Sequence, residues 1–176
     1  SFVWQVDPKQ LGLKGKPGPF ICWDFQEKAF RTILDCIDKG QDLVISKSRQ
    51  MGASWMMLIV FDWLWKFQEW NQFLFISRNA MAVEDDNANS LFWKLDFIHR
   101  YQPAWLMPQL DRKKMYFGNE DNKSAIFGEA STGRANVGGN TLAMAIDEFS
   151  QIKEDYEVLH RTSDATQCRI FNGTHL

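Results

Sequence analysis

The sequence is poor in the residues that build disulfide frameworks and zinc sites. It has only three cysteines and three histidines among its 176 residues. No two cysteines have Cys-x-x-Cys spacing, and the histidines are scattered along the chain. An odd number of isolated cysteines argues against a disulfide framework, and the lack of a Cys/His cluster argues against a zinc site. We therefore expect a reducing, cytoplasm-like compartment.

Long apolar runs and an excess of positive charge are also lacking. The most apolar stretch, residues 55–61, is followed by Asp62 and Lys66 before it reaches the length of a membrane span. The N-terminus shows no basic region followed by an apolar one. Because the formal net charge is −2, nucleic acid would have to be bound through a local patch. We expect a soluble protein that has no membrane partner.

The apolar residues that are present predict one α/β domain, a mostly parallel central sheet flanked by helices. Residues 1–22 are expected to be an irregular lead-in, and residues 23–176 to form the domain. The predicted elements are a helix that begins with a capping box at Asp24 and Glu27 and stops at Gly40, a strand at 42–46, a helix at 53–67, a strand at 72–77, a helix capped by Asn79 that includes 84–86 and continues to 98, a strand at 142–146, a helix at 151–160 and a strand at 168–171.

The middle of the chain departs from this alternation. Residues 113–118 and 124–129 flank a polar turn at 119–122, which predicts a β-hairpin inserted into the α/β pattern. A glycine-rich loop follows at 131–140.

Residues 47–54 stand where a strand is predicted to turn into a helix, as a phosphate-binding loop requires. Backbone N–H groups of such a turn converge on an anion, and the helix N-terminus adds partial positive charge. Gly52 permits a close backbone approach, and the Ser54 hydroxyl is placed to bind Mg²⁺.

The loop departs from the common pattern GxxxxGK[ST] at two positions. Lys47 replaces its first glycine, and Ala53 replaces its lysine. By pattern alone, an ordinary strand–turn–helix explains the segment better. The chemistry requires a cation at the β- and γ-phosphates, which Lys47 or Arg49 could supply from the start of the loop. The sequence does not decide between these two cations.

A predicted strand at 142–146 ends in two adjacent acids. In a parallel sheet that end faces the ligand crevice, where Asp147 would hold Mg²⁺ and Glu148 would orient and deprotonate the attacking water. The alternative is that both acids cap the next helix. Their position about ninety residues after the loop favours the catalytic interpretation.

These segments together resemble the large terminase subunit of tailed bacteriophages. The loop at 46–54 is similar to the deviant phosphate loop of that family, and the segment 142–148 is similar to its second motif. Residues 172–174, Asn-Gly-Thr, resemble its coupling motif. The resemblance implies a RecA-like P-loop ATPase of the additional-strand, catalytic-glutamate type.

The resemblance also implies roles for residues outside the loop and the acid pair. Gln26 would read adenine, although an exposed first helical turn is the alternative. Arg134 would reach the ATP of a neighbouring subunit, although a surface charge is the alternative. Asn172 and Thr174 would sense the γ-phosphate, although they could merely end a strand. The full expected set comprises the catalytic residues Glu148, Arg49 and Arg134, the nucleotide-binding residues Gln26, Lys47, Ser48, Arg49, Gln50, Met51, Gly52, Ala53, Ser54, Asn172 and Thr174, and the Mg²⁺ ligands Ser54 and Asp147.

The implied function is ATP-driven translocation of double-stranded viral DNA into a procapsid in the host cytoplasm. The implied partners are the portal protein, the small terminase subunit and further copies in a ring. The C-terminal nuclease domain of the family is expected to be absent from this chain. One alternative is a helicase-type translocase, which normally keeps lysine beside the Ser/Thr. Another is a nucleotide-binding assembly module without turnover, which the missing lysine at Ala53 supports and Glu148 opposes.

Overall fold

The computed structural model describes residues 3–6, 17–47, 51–131, 141–152 and 166–173. Short 3₁₀ helices occupy Ala104–Leu106 and Phe149–Gln151. The other elements, in chain order, are β1 (Trp4–Val6), β2 (Pro17–Pro19), α1 (Asp24–Lys39), β3 (Leu43–Ser46), α2 (Ala53–Phe67), β4 (Gln72–Ser77), α3 (Ala80–Val83), α4 (Leu91–Arg100), β5 (Leu110–Lys113), β6 (Tyr116–Asn119), β7 (Ala125–Ala130), β8 (Thr141–Ile146) and β9 (Thr166–Gly173).

A seven-stranded sheet with the order β3-β9-β8-β4-β7-β6-β5 organises the domain. The first five of these strands are parallel to one another. Strand β6 pairs antiparallel with β7 on one side and with β5 on the other. The prediction of a mostly parallel sheet flanked by helices is therefore confirmed. Because parallel strands end at the same edge, the residues that follow β3, β8 and β4 meet there, beside the last residues of β9.

Apolar side chains cover both faces of the sheet, and the larger cluster forms around α2. Phe61 of α2 lies 5.2 Å from Phe73 and 4.8 Å from Phe75, measured between ring centroids. Helix α2 also packs against α1 and α4, which explains why its sequence is apolar nearly all round. The smaller cluster on the other face comprises Leu74, Ile76, Met144, Ile146, Ile152 and Phe171.

The prediction of one continuous helix after Asn79 is wrong, because two separate helices, α3 and α4, occupy that stretch. Asn79 caps α3 through a bond from the Ala82 N–H to Oδ1 (2.8 Å). Glu84 leaves the helix because its carboxylate accepts from the Arg112 guanidinium, at 2.7 Å. Ser90 then caps α4. Local capping and a distant arginine together outweigh the helical spacing.

The N-terminal region and the hairpin also differ from expectation. Strands β1 and β2 pair antiparallel inside the predicted irregular lead-in. The predicted strand at 113–118 is divided by a turn at Lys114 and Met115, with Met115 at φ 53°. The hairpin joins the central sheet, because β7 pairs along its full length with β4.

The N-terminal cap of α1 differs from the prediction, whereas its C-terminal end is as predicted. The helix is capped by Trp23 and Gln26 and not by the predicted box. Gly40 ends it as predicted, at φ 62°. Most of the predicted glycine-rich loop (132–140) and most of the predicted helix after the acid pair (153–160) lie outside the described residues.

The turn of the hairpin holds the C-terminal end of α2. The Asn122 amide donates to the carbonyl oxygens of Trp65, Lys66 and Gln68, at 2.9, 3.1 and 2.8 Å. The Asn119 amide adds a bond to the Trp65 carbonyl at 3.0 Å. These amides satisfy carbonyls that a helix end leaves without intrahelical partners. The helix that begins at the predicted loop is thus fixed at its far end.

No helix in the described part of the chain is long and apolar enough to cross a membrane.

A buried carboxylate joins α2 to α4. Asp62 is 3% exposed, pairs with Lys66 and His99 and accepts from Gln102 Nε2 at 3.3 Å. Burial alone would raise the pKa of Asp62, but the neighbouring His99 and Lys66 side chains lower it to about 2. The folded domain therefore favours the ionised carboxylate.

We expect Asp62→Asn to lower the free energy of unfolding at neutral pH by about 3 kcal/mol, because buried Lys66 loses its counter-charge. The wild-type folded pKa lies below the unfolded value of about 3.9. The Asp62 contribution is therefore fully present above about pH 4 and declines as the pH falls toward 2. Urea denaturation at neutral pH and at successively lower pH measures both effects.

Asp35→Asn is the matched control, because Asp35 is an exposed carboxylate on α1. Its effect should stay within about 0.5 kcal/mol. A loss in Asp62→Asn no larger than that of the control, or an unchanged acid dependence, would contradict the role assigned to the buried pair.

Candidate functional site

One edge of the sheet brings together residues from three distant segments. Strand β3 leads through the predicted loop into α2, whose second residue is Ser54. Asp147 directly follows β8, and Asn172 is the last residue but one of β9. The sequence interpretation placed Asp147 and Asn172 at strand ends and Ser54 at a turn between a strand and a helix, and the structure brings the three together at one edge. It also extends β9 through Asn172 and Gly173, which were expected to follow it.

Asp147 is the centre of this arrangement. The Ser54 hydroxyl donates to its Oδ2 at 2.8 Å, and the Asn172 amide donates to its Oδ1. Its backbone N–H donates to the Ile76 carbonyl at 2.8 Å. The residue is only 6% exposed. Asp147 is therefore held by contacts with α2, β9 and β4, and it does not serve merely as a helix cap.

Asn172 has one polar atom without a partner. Its side chain is fully buried, and its Oδ1 accepts no hydrogen bond from the described residues. A buried amide oxygen left unpaired is costly, so it marks a place where a ligand or water would donate. The hydroxyl of Ser54 and the carboxylate of Asp147 are oxygen ligands of the kind that Mg²⁺ prefers.

These residues fit Mg²⁺ bound by few protein ligands. The described residues hold no group of three or more His, Cys, Asp or Glu side chains able to bind a metal. Mg²⁺ is commonly held by one or two protein ligands, with water and substrate phosphates completing its shell. The pair Ser54 and Asp147 matches that pattern.

Glu148 has a different environment from its neighbour. It adopts a left-handed backbone conformation, φ 54°, which is unusual for a residue other than glycine. Its side chain is 37% exposed, and its Oε2 pairs with Arg78 Nε at 3.2 Å. Arg78 also donates to the Gln151 side-chain oxygen at 2.5 Å. The backbone therefore turns the two acids in different directions.

Arg78 was missed by the sequence interpretation. It directly follows β4, the strand beside β8 in the sheet. A basic residue immediately after a strand next to the acid-bearing strand is the sequence feature that could have identified it.

The end of the loop is packed against Gln26. The Gln26 Nε2 donates to the Met51 carbonyl at 3.2 Å, and its Oε1 accepts from the Trp23 N–H at 3.1 Å. Gln26 is 5% exposed, so it is not an ordinary exposed residue of a first helical turn. Gly52 has φ 75°, and a Cβ placed on it would lie 2.9 Å from Gln26 Nε2. A positive φ and a close approach thus both require glycine at position 52.

The position of the missing loop lysine is occupied by a core residue. Ala53 is 1% exposed and begins α2. Lys47 is partly buried, and its backbone N–H donates to the Gly173 carbonyl at 3.3 Å, which ties the start of the loop to β9. Five further predicted site residues lie outside the described residues and stay predictions: Ser48, Arg49, Gln50, Arg134 and Thr174.

The fold is similar to that of several solved phage proteins. The HK97 bacteriophage large terminase has a TM-score of 0.69 at 12% identity, with 89% of this chain and 34% of that chain covered. The Thermus phage P74-26 large terminase ATPase domain has a TM-score of 0.61 at 13% identity, with 98% and 71% covered. The large terminase from a thermophilic bacteriophage in complex with ADP has a TM-score of 0.59 at 13% identity, with 85% and 38% covered.

These similarities establish the fold. The chain has the RecA-like α/β fold of large terminase ATPase domains, and it spans about a third of the length of the HK97 protein. A further structure of the thermophilic phage protein is a complex with ATP-gamma-S, at a TM-score of 0.52. No family model matches the sequence, and no curated protein matches it.

We expect Gly52→Ala to destabilise the domain more than Gly40→Ala. Both positions have positive φ, but a Cβ at Gly40 would meet only the Gln167 carbonyl, at an ordinary 3.5 Å. At position 52 the added carbon would displace the Gln26 amide from the Met51 carbonyl. Urea denaturation should show about 1 kcal/mol of loss for Gly40→Ala and a larger loss for Gly52→Ala.

The Gln26→Ala background tests the cause of that loss. Without the glutamine amide, Gly52→Ala has no hydrogen bond to displace, so its cost should fall by about 1 kcal/mol. Strictly additive losses in the double variant would contradict the close packing of Gln26 against the loop.

Proposed function

We propose that this chain is an ATP-hydrolysing domain. The observation that carries the proposal is the convergence of Ser54, Asp147 and Asn172 at one sheet edge, beside the loop at 47–54, with Glu148 adjacent. Similar folds in complex with ADP and ATP-gamma-S support a nucleotide as the ligand.

Phosphate binding is assigned to the loop and the start of α2. The N–H groups of the loop and the positive end of the 15-residue helix α2 attract phosphate oxygens. Lys47 or Arg49 would supply the cation that other phosphate loops carry next to the Ser/Thr. Gln26, held against Met51, is assigned to the adenine end of the nucleotide.

Ser54 and Asp147 are the residues that would hold Mg²⁺. When bound, the ion neutralises negative charge on the phosphate oxygens of the substrate. The chain prepares this site in advance, because the Ser54 hydroxyl and the Asp147 carboxylate already contact each other at 2.8 Å. Asn172 keeps the Asp147 carboxylate oriented and presents its unpaired Oδ1 beside it.

Water activation is assigned to Glu148. A carboxylate that accepts a proton from water must be accessible and correctly placed. Glu148 is partly exposed, and its Oε2 pairs with Arg78 Nε at 3.2 Å. We assign to Arg78 the orientation of this carboxylate toward the attacking water. Asn172 and Thr174 would sense the γ-phosphate.

We further propose that ATP hydrolysis here drives the packaging of double-stranded viral DNA into a procapsid. The terminase fold supports this assignment. The expected partners are the portal protein, the small terminase subunit and further copies in a ring, within the host cytoplasm. In such a ring Arg134 would act on the ATP of a neighbouring subunit.

We expect Glu148→Gln to reduce the rate of ATP hydrolysis about 100-fold or more while the affinity for ATP stays nearly unchanged. The substitution removes the proton acceptor and keeps the size of the side chain. Phosphate release measures turnover, and titration with a fluorescent ATP analogue measures binding.

Glu69→Gln is the control, because Glu69 is exposed just after α2 and far from the acid pair in sequence. It should hydrolyse ATP at the wild-type rate. Unchanged turnover in Glu148→Gln would refute the mechanism.

We also expect duplex DNA to stimulate ATP hydrolysis by the intact protein without separating its strands. A packaging motor moves along the duplex, whereas a helicase-type translocase unwinds it. A strand-displacement assay run beside the phosphate-release assay distinguishes the two. Release of single strands would rule out the packaging assignment and favour the helicase alternative.

A further inference from the structure

A lysine outside the phosphate loop faces the same site. Lys94 lies in the first turn of α4, after the capping residue Ser90. Helix α4 packs against the first turn of α2, where the rings of Trp55 and Phe97 lie 6.3 Å apart. Trp55 directly follows Ser54, and Phe97 lies one turn beyond Lys94. This packing brings the first turn of α4 to the phosphate-binding end of α2.

The Lys94 ammonium group lies within electrostatic range of Asp147, Glu148 and Lys47. It is only partly buried, and one of its three N–H donors binds the Asn89 carbonyl at 2.9 Å. The pKa of Lys94 is lowered, mainly because of this burial. The acids Asp147 and Glu148 oppose this decrease, and the positive charge of Lys47 adds to it. Two lysines from different elements therefore share one acidic edge of the sheet.

The nearby acids are engaged by other residues. Both carboxylate oxygens of Asp147 accept from Ser54 and Asn172, and Glu148 pairs with Arg78. Among the described residues, Lys94 makes no ion pair with a carboxylate within 4 Å. Lys94 is therefore a cation on the side of α4 that packs near Ser54, and no carboxylate in the described residues pairs with it, which suits it to bind an anion.

We propose that Lys94 is a phosphate-contacting residue that binds the terminal phosphate of the nucleoside triphosphate. It supplies from α4 a positive charge that the loop lacks at Ala53. This inference rests on the proposed ATPase function and adds to it a residue from an element that follows β4. The alternative is a structural role, in which Lys94 only fixes the loop at Asn89.

Affinity for a di- and a triphosphate distinguishes these roles. The 176-residue chain is titrated with ADP and with ATP-gamma-S, in the presence of Mg²⁺, for wild type, Lys94→Met and Lys94→Arg. Lys94→Met keeps an unbranched apolar side chain of similar length and removes the charge. Arg100→Ala is the matched control, because it removes one positive charge from the exposed end of the same helix.

We expect Lys94→Met to weaken ATP-gamma-S binding about tenfold or more, as for loss of a charge-assisted hydrogen bond. ADP binding should change by less than about twofold, because ADP lacks the γ-phosphate that Lys94 would contact. Lys94→Arg should regain most of the affinity, and Arg100→Ala should match wild type. Thermal unfolding, monitored by circular dichroism, confirms that each variant is folded.

Equal losses for ADP and ATP-gamma-S, or no loss for either, would overturn the assignment of Lys94. If wild type hydrolyses ATP and depends on Glu148 while the Lys94 variants bind normally, only this inference fails. If wild type binds neither nucleotide, the proposed function fails and this inference fails with it. If Lys94→Met does not fold, Lys94→Arg provides the test. A Lys94→Arg chain that folds but binds ATP-gamma-S no more tightly than ADP counts against the inference.

Discussion

The carboxylate of Asp147 is held by two side chains from distant segments, one 93 residues before it and one 25 residues after it. Ser54 approaches it from the first residues of α2, and Asn172 approaches it from β9. These contacts require β3, β9 and β8 to be adjacent and parallel, so that all three end at the same edge. A change in the order or direction of one strand would separate the hydroxyl, the amide and the carboxylate. The sheet topology is therefore a precondition of the site.

Helix α2 carries this constraint into the rest of the domain. Its N-terminal end contributes Ser54, its middle is joined to α4 through Asp62, and its C-terminal end is capped by Asn122. The cap comes from the turn between β6 and β7, and β7 pairs with β4. The strands beyond β4 thus support the helix that carries Ser54, although they contribute no residue to the candidate site. Such fixation limits the movement that a substrate must overcome on binding.

Apart from the parallel sheet, the features that were correctly predicted from the sequence are local. The strand that ends before Asp147 and the turn at Gly52 follow from short apolar runs and a glycine, because each depends on neighbouring residues. The division of the helix after Asn79 was not predictable, since it depends on Glu84 binding Arg112, which is 28 residues away. The environment of Glu148 illustrates the same limit, because only the pairing of β4 with β8 brings it to Arg78. Composition and spacing identify which residues carry charge, but they do not identify which charges meet across a sheet edge.

The burial of Ala53 bears on where the cations of the proposed phosphate site would come from. Ala53 is packed in the core at the start of α2, so a lysine at that position would have to bury its stem or displace the helix. In the proposed function, positive charge at the phosphates would come from the start of the loop, at Lys47 or Arg49, and from α4, at Lys94. A cation on α4 responds to the position of that helix, whereas a loop lysine does not. Since α4 is fastened to α2 by Asp62 and by the contact of Phe97 with Trp55, loss of the terminal phosphate would remove one of the attractions that hold α4 against the site. The chemical step would thereby change the balance of forces on a whole helix, which is the differential interaction that coupling hydrolysis to movement requires.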